Sequence, residues 1–453
     1  MENSYSVFGF SDSSACKKYL LSWADSFELC FYLDSNHYDG DKYGCYEFII
    51  GVGDLDCPVV CVEKDGDMAG VWSKLDTFVE KNKDAWLFGC LGYDLKNGLE
   101  KLSSCNFDGL AMPDLFFLCP RLVIGLRRSG FWEVFRGNAY EEFPVSWLSE
   151  HVFGKKMAVD DFAGSDNGGV GEGLSLSSRW SKEEYIERAS KLLGHIHRGD
   201  LYEVNLCQEF YAERVSIFPR GVFGLLNERA LAPFSAYIKL PNNRYVLCAS
   251  PERFMKKTGD LLISQPIKGT ARRDLSDSLA DEYLKEELRQ NRKERSENVM
   301  IVDLVRNDLT RSAERGTVRV SELFGVYSFR TVHHLISTVV ARLRFGMEGV
   351  TALKYAFPMG SMTGAPKVRA MQLIEEMEGV RRGLFSGTIG YISPNGDFDF
   401  NVVIRSLLYN KEREYLSLQT GSALTAQANP ASEYEECLLK AGAIVEVLKS
   451  KMV

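Results

Sequence analysis

Two kinds of hydrophobic pattern divide the chain. Up to about residue 153 the apolar positions come in short runs, such as Phe27-Glu28-Leu29-Cys30-Phe31-Tyr32-Leu33 and Trp86-Leu87-Phe88-Gly89, broken by Asp, Asn and Gly. Runs of this length and aromatic content predict a β-rich lobe over residues 1–154 with few long helices. Residues 155–178 have little to bury, and the tract Asp160-Asp161-Phe162-Ala163-Gly164-Ser165-Asp166-Asn167-Gly168-Gly169 reads as an inter-lobe linker or loop.

Residues 179–453 alternate helical and strand periods. Ser181-Lys182-Glu183-Glu184 is a capping box, and Tyr185, Ala189, Leu192, Leu193 and Ile196 hold helical spacing until Gly199. Leu201 to Phe210 reads as a strand with Glu203 and Asn205 on one face, which a solvated face and a pocket explain about equally. Strands follow at Tyr245–Ala249, ahead of the acidic Glu252, and at Asp260–Ile263. From about Ser276 to Val305 a single long helix is expected, charged at first and apolar at its end. Glu297 stands where the two characters meet, as either a surface carboxylate or a ligand facing a cleft. A last helix begins near Pro430 and stacks Glu433, Glu436 and Lys440 on one face, either as a solvated ion pair or as part of a site.

Composition narrows the function classes. The 453 residues are 45% hydrophobic and 26% charged, as in globular proteins. A net charge of -8 argues against a general nucleic-acid binder and leaves no polybasic membrane patch. No apolar run is long enough to span a membrane and the start lacks a signal pattern, so the expected location is cytoplasmic. The eleven cysteines sit in apolar contexts and are expected to be reduced, and Cys57 and Cys61 have no partners for a zinc site.

Three stretches carry candidate chemistry. In Ser264-Gln265-Pro266-Ile267-Lys268-Gly269-Thr270-Ala271-Arg272-Arg273, Pro266 is expected to end a strand and Gly269 to open a turn. Lys268 would then be either a solvated loop lysine or an amine nucleophile whose pKa is lowered by burial and by Arg272 and Arg273. The loop Gly360-Ser361-Met362-Thr363-Gly364-Ala365-Pro366-Lys367 precedes a helix and could present amides to an anion, although such turns also merely cap helices. Arg405 closes the apolar run Phe400-Asn401-Val402-Val403-Ile404, as a carboxylate clamp or a solvated end.

Together with Gly199–Leu206, Ser250–Phe254, Ser296–Leu309, Val332–Leu335 and Glu433–Glu436, these stretches resemble in order the chorismate-utilising enzyme family over most of residues 180–450. The resemblance implies an α+β, anthranilate-synthase-like fold of two packed antiparallel sheets with outer helices, built from both parts of the chain. The form Pro-Ile-Lys-Gly-Thr is similar to the branch that aminates chorismate at C4 with ammonia, towards p-aminobenzoate and folate; the anthranilate-forming branch, which is the alternative, has alanine in place of the lysine. By the same resemblance Lys268 would attack C2, Glu252 would protonate the leaving oxygen, and His334 would line the ring site. Gly360, Ser361, Thr363, Gly364, Tyr391, Arg405, Gly421 and Lys440 would bind substrate, and Glu297 and Glu436, with Glu433 close by, would hold Mg²⁺. The implied partner is a glutamine amidotransferase supplying ammonia. Leu33-Asp34-Ser35 lies where relatives line a tryptophan pocket, which makes tryptophan a candidate ligand of the N-terminal lobe. Two positions depart from the family pattern: Glu203 replaces the usual glutamine, and Gln427 an aspartate.

Overall fold

The computed structural model describes residues 13–64, 66, 68, 70–136, 144–153, 174–448 and 451–452. Among the described residues one sheet of twelve strands and one of ten carry the fold. Among the described residues all pairings between strands are antiparallel except that of Lys451–Met452 with Ser175–Ser178. The expected α+β architecture is the one found, and both sheets join the two parts of the chain. Leu29–Asp34 pairs with Phe234–Leu240, with Tyr32 opposite Tyr237. Leu87–Leu91 pairs with Thr388–Ile392, with Gly89 opposite Gly390. Most of the tract read as a linker lies outside the described residues; its last four, Ser175–Ser178, form a strand beside Glu203–Glu213.

The facing sides of the sheets enclose the largest core. The ring of Phe31 in the first sheet lies 6.1 Å from Phe88 and 6.2 Å from Phe116 in the second. Leu20, Leu226 and Ile444, from the helices Ser13–Asp25, Pro219–Ala230 and Pro430–Val447, bury against Tyr237, Leu247 and Leu416 of the first sheet. The helix Lys182–His197 begins at the expected Ser181 capping box and packs with Lys367–Glu378 on Val204, Leu206 and Leu424. All eleven cysteines are free thiols.

One expectation changes and two readings sharpen. The N-terminal part holds the helices Ser13–Asp25 and Val71–Lys81; in the second, Val71, Trp72, Leu75 and Phe78 form a helical stripe that the aromatic runs around it obscure. The single long helix is two, Ser278–Gln290 and Arg292–Thr310. Between them Asn291 is extended, and its side chain accepts the amides of Lys293 and Glu294 at 3.0 and 3.1 Å. That is an N-cap inside a charged run with no Gly or Pro to announce it. The strand at 201–210 runs from Glu203 to Glu213, and Glu203 and Asn205 are buried rather than solvated, because helices cover one side of the sheet and the second sheet the other.

One buried ion pair ties these layers together. Arg382, 2% exposed, is held by both carboxylate oxygens of Glu378 at 2.5 and 2.8 Å. It also donates to the carbonyls of Asn205 at 2.9 Å and Met362 at 2.5 Å, and lies 4.6 Å from the centroid of the Tyr93 ring. Removing one member of such a pair strands the other charge in a low-dielectric interior. Glu378→Ala is therefore expected to lower unfolding free energy by about 3–5 kcal/mol in urea titrations, whereas Ala at the exposed Glu376 should change it by less than about 0.5 kcal/mol.

Candidate active site

The chain passes between the sheets several times, and two of these crossovers lie side by side. Arg244–Ser250 of the first sheet continues through Pro251 and Glu252 into Arg253–Thr258 of the second. Phe398–Asn401 of the second returns through residues 402–405 to Ser406–Asn410 of the first. Val402 N donates to Glu252 O at 3.0 Å, and Ala249 N to Arg405 O at 3.1 Å. Arg405 thus belongs to a crossover, not to the end of the preceding strand as expected. Its φ of +53° is a costly conformation for a residue with a side chain. Among the described residues no carboxylate lies within ion-pair distance of its guanidinium. Burial lowers its pKa against the pull of Glu436, yet an arginine remains charged. It is a half-buried cation open to an anionic ligand.

Lys268 does not open a loop. The chain resumes after Pro266 as the strand Ile267–Arg272, paired with Val332–Arg342 with a register shift between Ile267 and Thr270. Gly269, at φ +98°, forms this irregularity, and a Cβ there would stand 3.1 Å from Leu335 and 3.2 Å from Glu294. Asn298 donates to the carbonyls of Lys268 at 3.4 Å and Leu335 at 3.3 Å and accepts from Ser337 at 2.6 Å, fixing the bulge. The ammonium lies 2.7 Å from Glu203 Oε1. The expected lowering of its pKa by Arg272 and Arg273 is overturned, since Arg272 is exposed and Arg273 pairs with Asp281 at 2.7 Å. Burial does lower it, but Glu203, Glu297 and Glu436 more than offset burial, and the net shift is upward.

Glu252 is 5% exposed, and burial pushes its carboxyl up to about 7, with Ser361 and the Lys268 ammonium pulling it back only in part. It shares the lining of one cavity with Gly360 and Ser361. His334 takes part in a 3.0 Å hydrogen bond between its Nδ1 and Thr270 Oγ1, and its ring meets Phe329 edge-on at 5.0 Å. Burial, then Arg405, drive its pKa down to about 3, so it is a neutral hydrogen-bonding group.

The glycine-containing loop is braced by the 203–213 strand. Gly364 and Ala365 pair with Val204 and Glu203, and at Gly364 (φ +146°) a Cβ would fall 2.1 Å from Glu203 O. Asn205 donates to Ser361 O at 3.1 Å, and Thr363 spends its hydroxyl on Met359 O at 3.1 Å. Gly421 stands opposite Cys207, and a Cβ there would lie 2.4 Å from the Cys207 sulfur.

Two helices bring an acidic cluster to Lys268. Glu297 is 8% exposed, its Oε1 is buried without a hydrogen-bond donor, and burial raises its carboxyl to about 7 against Lys268 and Lys293. Burial raises Glu433 as well, although it accepts from Ser422. Glu436 is held below the usual range, its burial outweighed by Lys440 at 2.7 Å. Lys440 also donates to Gly421 O at 2.8 Å. Lys293 Nζ lies between Glu297 and Glu433, at 3.7 and 3.8 Å. Sequence reasoning missed Lys293, although it stands four residues before Glu297, and missed Asn298 and Arg382, whose roles depend on remote carbonyls. Among the described residues no three acidic, His or Cys side chains already form a metal cage. The orphaned Glu297 oxygen beside Glu433 and Glu436 nevertheless suits a hard cation that keeps several waters and takes one or two carboxylates.

Tyr391 is not brought to this site. Its ring lies 6.0 Å from Tyr46, 5.8 Å from Trp86 and 6.2 Å from Phe88. It lines a second cavity with Leu33, Asp34 and Ser35, in which Asp34 already pairs with Lys17 at 2.6 Å. The alternation of the strand that carries Tyr391 sends the ring into the interior shared with the N-terminal part.

Known proteins resemble this chain over most of its length. The aminodeoxychorismate synthase component 1 of Klebsiella aerogenes is 43% identical over 371 residues, 80% of this chain and 77% of that protein. The anthranilate synthase component 1 of Thermus thermophilus is 33% identical over 365 residues, with 80% and 77% covered. The crystal structure of anthranilate synthase component I from Streptococcus pneumoniae superposes with a TM-score of 0.67 at 25% identity, over 79% of this chain and 80% of that one. The family of chorismate binding enzymes matches residues 42–446. By that match and by the identity shared over most of its length, the chain belongs to the chorismate binding enzyme family.

Proposed function

We propose that the chain aminates chorismate at C4 with ammonia to give 4-amino-4-deoxychorismate, on the route to p-aminobenzoate and folate. The observation that carries this reading is Lys268, a largely covered amine 2.7 Å from a carboxylate and within the electrostatic reach of the Glu297 and Glu436 cluster. Relatives named aminodeoxychorismate synthase component 1, 33 to 43% identical over 80% of this chain, support the same choice. The 33% identical relative named anthranilate synthase component 1 keeps that product as the alternative.

Arg405 would hold a substrate carboxylate, with Lys440 and the loop at Gly360–Gly364 closing the pocket around it. The Lys268 amine attacks C2 while the C4–O bond breaks and Glu252 gives its proton to the leaving oxygen. Ammonia then forms the new bond at C4 and expels Lys268. With its carboxyl near 7, Glu252 carries the proton below that pH and loses it above, so the first step slows as pH rises through about 7. Glu297, Glu433 and Glu436 would hold Mg²⁺, whose charge would draw electron density from the ring through its carboxylate. Two-component naming of the relatives supports a glutamine amidotransferase partner as the ammonia source.

Incubation with chorismate, Mg²⁺ and ammonium should yield 4-amino-4-deoxychorismate by chromatography; release of fluorescent anthranilate without a lyase would sink the reading. Lys268→Ala should lower turnover by about 10³-fold or more and abolish a chorismate-dependent mass increase of the protein. In calorimetric titrations with chorismate present, Glu297→Gln and Glu433→Gln should each weaken Mg²⁺ binding by at least about 10-fold; unchanged binding would remove them from the metal site.

A further inference from the structure

Glu203 has no part in the steps above, yet its carboxylate is the group closest to the reacting nitrogen. Its side chain is 3% exposed and that of Lys268 11%, with Oε1 and Nζ 2.7 Å apart. Burying two charges in contact is a poor way to gain stability, since an apolar pair does as well without the desolvation cost. Both ends are nevertheless rigidly aimed. Glu203 is flanked by Ala365 on one side and Thr425 on the other, and Gly364 is pressed against its carbonyl. Lys268 stands on the bulge fixed by Asn298 and Gly269.

Resting on the reading of Lys268 as nucleophile, we infer that Glu203 is the proton acceptor that frees the Lys268 amine. As Nζ closes on C2, an Nζ–H bond breaks and an Oε1–H bond forms. The released electron pair makes the Nζ–C2 bond while the C4–O bond breaks, and the departing oxygen leaves as water with the Glu252 proton. When ammonia bonds to C4, the C2–Nζ pair returns to Lys268. Glu203 gives its proton back to that amine, and the new C4 ammonium returns one to Glu252. Every group is restored, and the sum is ammonia in, water out. Glu203 and Glu252 thus divide the work of base and acid, as carboxyls in unlike environments do.

Other charged groups face this pair: Glu252 from one crossover and Arg405 from the other, Lys293, Glu294 and Glu297 from the 292–310 helix, and Glu436 and Lys440 from the 430–447 helix, with neutral His334 on the strand alongside. Glu203→Gln keeps the shape and leaves all of them in place. The experiment is rapid-quench mass spectrometry of the full chain with chorismate and saturating Mg²⁺ but no ammonia, between about pH 5 and 6, where Glu252 keeps its proton. In the parent, adduct formation should be nearly independent of pH, because the proton moves within the pair. In Glu203→Gln it should be at least about 100-fold slower at the acid end and rise about tenfold per pH unit, because the amine must lose its proton to solvent. Glu203→Asp, which keeps an acceptor, should recover part of the rate and the flat profile. A Glu203→Gln rate equal to the parent's, or lowered equally at every pH, would overturn the inference while the parent's adduct upheld Lys268 as nucleophile. Absence of adduct in the parent would overturn both.

Discussion

The buried pair of Arg382 with Glu378 is the constraint on which the rest of the site depends. Its guanidinium takes the carbonyls of Asn205 and Met362 at once, so the start of the 203–213 strand and the Gly360–Gly364 loop cannot move apart without exposing it. Glu203 is two residues from one anchor, and Ser361 is next to the other. A guanidinium suits this because its planar donors reach several acceptors in fixed directions, where a lysine would supply a point charge. Precision at Glu203 and the loop is therefore set by a group that touches neither the amine nor the acidic cluster.

The second organising fact is the exchange of strands between the sheets. Crossovers interrupt the ladder, and the residues in them carry backbone geometry that a regular strand would not give, as the φ of Arg405 shows. They also direct side chains into the gap between layers. Glu252 and Arg405 occupy equivalent places on neighbouring crossovers, one facing Lys268 and the other Glu436, which gives the pocket an acid and a cation without a dedicated loop. The helices then add charge from above: carboxylates from two of them meet around Lys293, which balances the cluster.

Much of this was legible in the sequence, and the failures have a common cause. The Ser181 capping box, the Pro430 helix with its acidic face and the ordered motifs depend on local spacing, and the structure has each where spacing puts it. What went astray depended on contacts remote in sequence. Arg272 and Arg273 are close to Lys268 along the chain, but the exposure of Arg272 and the pairing of Arg273 with Asp281 remove them from its field, while Glu203, 65 positions earlier, supplies the partner. Tyr391 sits in a strand of the expected kind, but the face it takes is set by pairing with Leu87–Leu91. The break at Asn291 was hidden because a capping side chain reads as one more polar residue in a charged run. Glu203 was visible as a departure; its burial, which gives it meaning, was not.

Those corrections change how the amine is kept ready. Nearby cations would hold a lysine neutral at all times, at the cost of repelling it from its own site. The arrangement found keeps it charged while the pocket is empty, paired with a carboxylate that can take the proton later. In the proposed reaction the difference matters, because the substrate would bring two carboxylates and Lys268, Lys440 and Arg405 would then all attract it during binding. On that reading only as the nitrogen closes on carbon must one of these charges disappear, and a transfer over 2.7 Å would remove it without any exchange with solvent. Binding and nucleophilic attack, as proposed, make opposite demands on the same ammonium, and an adjacent buried carboxylate would meet both where a permanently lowered pKa would meet only the second.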